Sequence, residues 1–154
     1  MQNLLFQELE LAIRTTKSLL MKIQPGQWDY RPHENMRSLL ELCNHLAEVP
    51  SVDLAIMQEK TADEVKKIEN GLTSSDPQKL CNVMDAGYQA LHDYLATLSE
   101  SDFMEKITTP FYGDHGFTQA KWLIEVVTHV FHHRSQLFTY LKQLNVSVNM
   151  FDLY

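Results

Sequence analysis

Basic residues are scarce in this chain. Thirteen Lys and Arg stand against twenty Asp and Glu, for a net charge of −7. They are also scattered, with Lys66-Lys67 the one adjacent pair. Phosphate contacts need clustered Lys and Arg, so nucleic acid is not an expected partner, and neither is a membrane surface gripped by a basic helix. Cysteine is nearly absent. Cys43 and Cys81 both fall in apolar helical patterns, where a free thiol behaves as a small hydrophobe, so they read as buried and reduced rather than as a disulfide or a nucleophile. No apolar run approaches membrane-spanning length. Glu8 and Glu10 interrupt the first apolar residues, which argues against a secretory leader and makes a cytoplasmic protein the expectation. Internal repeats and low-complexity tracts are missing too. What remains is ordinary globular composition, 44% hydrophobic and 21% charged. At 154 residues the chain suits one domain over 1–154, long enough to bury a core without disulfides or structural metal.

Four helical segments are legible. Leu5, Leu9, Ala12, Ile13, Leu19, Leu20 and Ile23 repeat at helical spacing up to the stop at Pro25-Gly26. A loop follows through Trp28-Asp29-Tyr30-Arg31-Pro32. Ser38 with Glu41 three residues on is a capping-box signature for the second helix. Its apolar stripe is Leu39, Leu42, Cys43, Leu46 and Met57, and Pro50 predicts a kink just past His45. Asp76-Pro77 opens the third helix. Leu80, Met84, Gly87, Leu91, Tyr94 and Leu98 then form a bundle-like seam. The first three helices are thus expected to end near residues 23, 59 and 98. Residues 99–117 are irregular, with room for a short hairpin. A fourth helix spans about Thr118 to Leu144, and a tail follows, expected to pack through Met150, Phe151, Leu153 and Tyr154. The pattern predicts an all-α four-helix bundle.

Among seven histidines, His129 and His133 stand four apart, one above the other on a helix face. His45, in Leu42-Cys43-Asn44-His45-Leu46-Ala47, can add a third imidazole from a helix packed alongside. Three neutral imidazoles converging on one point make a divalent-metal site with open positions. Spacing alone also allows hydrogen-bonded structural histidines. At about 100° per residue, with His129 at zero, the apolar side chains of the fourth helix cluster between about 60° and 120°. His133 falls at the margin of that face, near about 40°, and His132 at about 300°, toward solvent. His33, His92 and His115 read as ordinary surface or loop residues. The first His lacks the following Glu of H-E-x-x-H, which excludes the zinc-protease pattern, and no Glu-x-x-His pairs of a di-iron bundle are present. Glu125 and Gln136 are placed either to hold an imidazole tautomer or to face solvent. Arg134 is a candidate for binding an anionic substrate group, or else a structural ion pair. Glu48 and Glu125 are candidates for a general base.

These stretches resemble the DinB/YfiT-like superfamily of four-helix-bundle, metal-dependent proteins. The likeness spans almost the whole chain. It runs from the Trp28–Pro32 loop through Ser38–Ala47 and Thr109-Pro110-Phe111-Tyr112-Gly113 to His129-Val130-Phe131-His132-His133-Arg134-Ser135-Gln136 and the tail Val148–Tyr154. Its most specific element is His45 combined with H-x-x-x-H-R-x-Q. Ser135 stands where glycine is frequent in the family. The resemblance implies metal ligands at His45, His129 and His133, an up-down-down-up bundle and a homodimer. Three imidazoles with open positions suit a divalent cation, zinc or nickel first, iron or copper behind. Some members transfer or isomerise with a low-molecular-weight thiol. The expected function is therefore a metal-dependent thiol-S-transferase acting on a small molecule. The alternatives are a non-enzymatic, stress-related metal-binding bundle and a metal-dependent hydrolase.

Overall fold

The computed structural model describes residues 1–154. Its helices are α1 (Gln2–Leu20), α2 (Leu39–Met57), α3 (Ala62–Leu72), α4 (Pro77–Ala96), α5 (Glu100–Glu105) and α6 (Gln119–Gln143). Two short strands, β1 (Ile107–Thr108) and β2 (Phe117–Thr118), pair antiparallel in the irregular stretch. A 3-10 turn, Met150–Asp152, lies in the tail. Four long helices form the bundle: α2 packs against α4 and α6, and α1 against the same two.

Side-chain contacts give the helix directions. Lys17 of α1 meets Asp85 of α4, while Phe6 meets Tyr88 and His92, so α1 and α4 are antiparallel. Asn44, near the start of α2, clamps the backbone of Ser74 just before α4, accepting from its N–H at 2.7 Å and donating to its carbonyl at 2.9 Å. Farther along, Gly87 lies against Pro50 and Ser51. Those helices are therefore parallel. His45 meets His133 while Asp53 meets His129, so α2 and α6 are antiparallel. The order is up-down-down-up. The parallel α2–α4 step needs a return connection, and α3 supplies it.

Local chemistry explains the boundaries. The Ser38–Glu41 capping box is formed in both directions, and the Asp76 side chain accepts from Gln78 N–H ahead of Pro77. Helices α1, α2 and α4 end at Leu20, Met57 and Ala96, two or three residues short of the expected 23, 59 and 98. Ile23 and Leu98 keep the apolar spacing but pack from the turns beyond. The α3 helix was not expected. It has its own capping box, Thr61 with Glu64, but its apolar stripe is short: Val65 is buried and Ile68 and Leu72 are half-buried. α2 runs unbroken through Pro50, which is buried. The tail corrects another expectation. Met150, Phe151 and Tyr154 are exposed; Val148 is the buried anchor and Leu153 is partly buried. The 3-10 turn points its apolar side chains outward, and polar bonds hold it: Lys22 pairs with Asp152 at 2.5 Å, and Arg134 donates to the carbonyl of Leu153.

The interior is one cluster of 35 buried apolar residues. Each fully buried leucine adds about 1.5–3 kcal/mol over an exposed one. α4 approaches α2 closely at Gly87. A Cβ there would stand 2.5 Å from Ser51 Oγ, 3.0 Å from Ser51 N and 3.1 Å from the Pro50 Cβ. Gly71, in α3, has open space around it. Gly87→Val is expected to cost about 2 kcal/mol or more through overpacking. Gly71→Ala should be neutral or stabilising by up to about 1 kcal/mol. Urea denaturation of both variants tests this, and equal stabilities would remove the close α2–α4 approach from the account.

Candidate metal centre

The three histidines meet where α2 and α6 cross. His45 is on α2, and His129 and His133 are one turn apart on α6. His45 Nε2 lies 3.2 Å from His129 Nε2 and 3.0 Å from His133 Nε2. The ring atoms available as ligands lie within 4.8 Å of one another, so the group can hold a metal ion. His133 is buried, and the other two are half-buried. His132 is exposed, as the helical phase predicts.

Each ring's far nitrogen is tied to an oxygen. His45 Nδ1 donates to Glu48 Oε1 at 3.2 Å, His129 Nδ1 to Asp53 Oδ2 at 3.0 Å and His133 Nδ1 to Gln136 Oε1 at 2.7 Å. A carboxylate is acceptor-only, so the Nδ1 atoms facing Glu48 and Asp53 carry the protons. Gln136 fixes His133 in the same way through its amide oxygen. All three Nε2 atoms therefore present lone pairs to one another. Lone pairs facing at about 3 Å repel unless a cation lies among them. Two nitrogens bound at 2.0–2.1 Å to one ion, at angles near tetrahedral, stand about 3.3 Å apart. The two separations from His45 Nε2 fit that requirement. Burial above all, against the raising effect of the Gln136 hydrogen bond and with smaller contributions from the nearby His45, His129 and His132, lowers the His133 pKa to about 4. The imidazole is thus neutral near pH 7, which is its metal-binding form.

The other candidates divide. Gln136 holds an imidazole tautomer, as sequence spacing allowed. Glu125 does not; it pairs with Lys121 one turn back on α6. Glu48 is occupied by His45 and is no free base. Arg134 is turned away from the histidines. It is buried against α1 and the tail, donates to Thr15 Oγ1 at 2.8 Å, and stacks 4.5 Å from the centroid of Phe131. It is neither a substrate clamp at this centre nor half of a carboxylate ion pair. About 100° of helical rotation separates it from His133, which suffices to change neighbours from α2 to α1. Asp53 was missed. Its one sequence signal is its place two turns after His45 on the same helix.

A cavity of about 590 Å3 opens beside His45, His129 and His132. Tyr112, Phe117 and Trp122 form its aromatic wall, and Asp53, Glu69 and Glu125 are its acids. The strand pair builds this wall: buried Thr108 accepts from Trp122 Nε1 and from Gln119 Nε2, both at 3.0 Å. Glu59 Oε1 accepts from Thr109 N–H and holds the loop that carries Tyr112. A second groove, about 460 Å3, shares His45 and Glu69 and contains Arg37, which is exposed and has no ion-pair partner. Both thiols are remote from this chemistry in character: Cys43 and Cys81 are buried, and burial raises the pKa of each.

The DinB family model matches the chain over residues 1–154. A structure from Exiguobacterium sibiricum 255-15, described as belonging to the DinB family, is 33% identical, with a TM-score of 0.83 over 99% of this chain and 97% of that one. A DinB-like protein of Bacillus cereus ATCC 10987 shares the fold at 15% identity and TM-score 0.74, over 94% and 93% of the two chains. Another, from Bacillus subtilis, does so at 18% and 0.68, over 94% of each. No functionally curated protein matches. No helix is long and apolar enough to cross a membrane.

Proposed function

The chain belongs to the DinB family, and we propose that it is a divalent-metal-dependent enzyme, a thiol-S-transferase that joins a low-molecular-weight thiol to a small electrophile. The observation that carries this reading is the convergence of three Nε2 lone pairs, each ring fixed from behind, at the edge of an open cavity. His45, His129 and His133 would hold the ion. A bound divalent cation supplies Lewis acidity, which favours the thiolate form of a thiol near neutral pH.

The remaining steps fall to the chain's own residues. Glu48, Asp53 and Gln136 keep the imidazoles oriented. With Cys43 and Cys81 buried, the attacking sulfur comes from solution. Two openings meet at His45 and Glu69, giving separate approaches for two reactants. Arg37, rather than Arg134, is placed to bind a carboxylate of the thiol. The aromatic wall excludes water from one side of the electrophile.

The test is adduct formation from monochlorobimane with glutathione, cysteine and 2-mercaptoethanol as thiols. Activity is expected to vanish on chelation and return with zinc or nickel. Arg37→Ala should raise KM for the carboxylated thiols about tenfold and leave 2-mercaptoethanol unaffected. Turnover that persists without metal would overturn the proposal. A hydrolytic reading is favoured by one observation: the Glu69 carboxylate is without a hydrogen-bond or ion-pair partner beside the centre, where it can serve as a base. Ester hydrolysis in the absence of thiol is its signature. Metal binding with neither activity would leave the non-enzymatic bundle.

A further inference from the structure

We propose that the cavity beside the three histidines selects a cationic organic group, an ammonium or quaternary ammonium on an apolar or aromatic body, and that Glu69 meets its charge. The proposal rests on the function above for the site's being a reaction centre, and it names the class of small molecule that enters.

The lining carries the argument. Tyr112, Phe117 and Trp122 face the cavity together with three carboxylates, and no Lys or Arg contributes to it. Two of the acids are engaged, Asp53 with His129 and Glu125 with Lys121. Glu69 is half-buried on α3 and has no partner. An incoming cation gives this carboxylate the ion-pair partner that it lacks within the chain. In the metal-free cavity an anion would meet three carboxylates and no Lys or Arg.

The chain already seats a cation of its own in such surroundings. The Lys121 ammonium pairs with Glu125 and lies 5.9 Å from the centroid of Phe117. An acid beside an aromatic face is the combination that recognises organic ammonium groups. The negative field reaches Tyr112 as well. Burial chiefly raises the Tyr112 pKa, and the charges of Asp53 and Glu125 raise it further. A net charge of −7 adds long-range attraction for cations.

Benzyltrimethylammonium is a suitable probe because its charge is permanent and it has no lone pair with which to ligate a metal. Its binding to zinc-loaded and to chelator-treated protein is measured by calorimetry, beside benzyl alcohol and phenylacetate. The expected order in both forms is the ammonium at least tenfold tighter than the alcohol, with phenylacetate weakest in the metal-free form. Glu69→Gln should weaken the ammonium about tenfold and leave the alcohol unchanged. Zinc content and circular dichroism of that variant are expected to match the parent, which shows that it folds. Absence of ammonium binding at millimolar concentration, or an affinity untouched by Glu69→Gln, overturns the proposal; in the first case the acids serve only to gather metal. Zinc stoichiometry is read in the same samples. Ammonium binding without zinc binding would sink the metal centre alone, and the reverse would sink the cation site alone.

Discussion

Alanine at His45, His129 or His133 is expected to abolish stoichiometric zinc binding, while His132→Ala leaves it intact. Each of the three contributes one Nε2 to a group in which His45 Nε2 stands 3.2 and 3.0 Å from the other two, and two nitrogens hold a divalent ion far less tightly than three. His132 is the decisive control. It follows in sequence directly before His133, its ring lies 4.8 Å from the His133 ring, and it borders the same cavity. Residue type and place in the chain are thus nearly shared, and the direction of the side chain, which buries His133 and exposes His132, is what differs. A metal that binds the native state alone stabilises it by mass action, by about 4 kcal/mol at a thousandfold excess over Kd. Zinc should therefore raise the Tm of the parent and of His132→Ala by similar amounts, and of the other three much less. A shift lost in His132→Ala and kept in His133→Ala would mean that the site uses a pair three residues apart, and the ligand set would fall.

That control also marks what a sequence can convey. The helical phase of α6 is set by Leu123, Val126, Val130, Leu137 and Leu141, all buried, so the inward turn of His133 and the outward turn of His132 follow from periodicity alone. Caps were equally legible, because Ser38-Glu41 and Asp76-Pro77 satisfy backbone groups within three residues of themselves. Contacts made across the bundle were not. Asp53 and Glu125 are both acids near a histidine in the folded chain, and only the crossing of α2 over α6 decides that Asp53 reaches His129 while Glu125 turns to Lys121. Arg134 follows the same rule: its partners, Thr15 and Leu153, are 119 and 19 residues away. The α3 helix escaped for a different reason. It is short, with five charged residues among eleven, and its apolar face is only Val65, Ile68 and Leu72, too brief a run to stand out beside the long stripes of the bundle helices. Missing it also hid Glu69, which α3 brings to the junction of the two grooves.

Removal of the Asp53 acceptor is expected to weaken zinc binding by about 10–100-fold, although Asp53 donates no atom to the group of three nitrogens. The carboxylate holds the proton on His129 Nδ1 at 3.0 Å, and so does two things. It keeps Nε2 deprotonated and aimed at the other two rings, and its charge makes that nitrogen a better donor. Asp53→Leu loses both effects. The tautomer is then free to invert, and a protonated Nε2 must rotate or lose its proton before it can ligate. Asp53→Asn separates the two, since the amide oxygen still accepts from Nδ1–H while the charge is gone. Its loss should be clearly smaller than that of Asp53→Leu. Glu125→Gln is the matched control: it removes one negative charge from the same cavity wall at a residue bound to Lys121 and to no imidazole. Zinc affinity there is expected to stay within about twofold of the parent, because a solvent-exposed charge near the site is strongly screened. Competition titration against a chromophoric chelator reads all three variants. Equal losses for Asp53→Leu and Glu125→Gln would show that the acidic wall acts as a diffuse field, and the hydrogen bond to His129 would lose its assigned role.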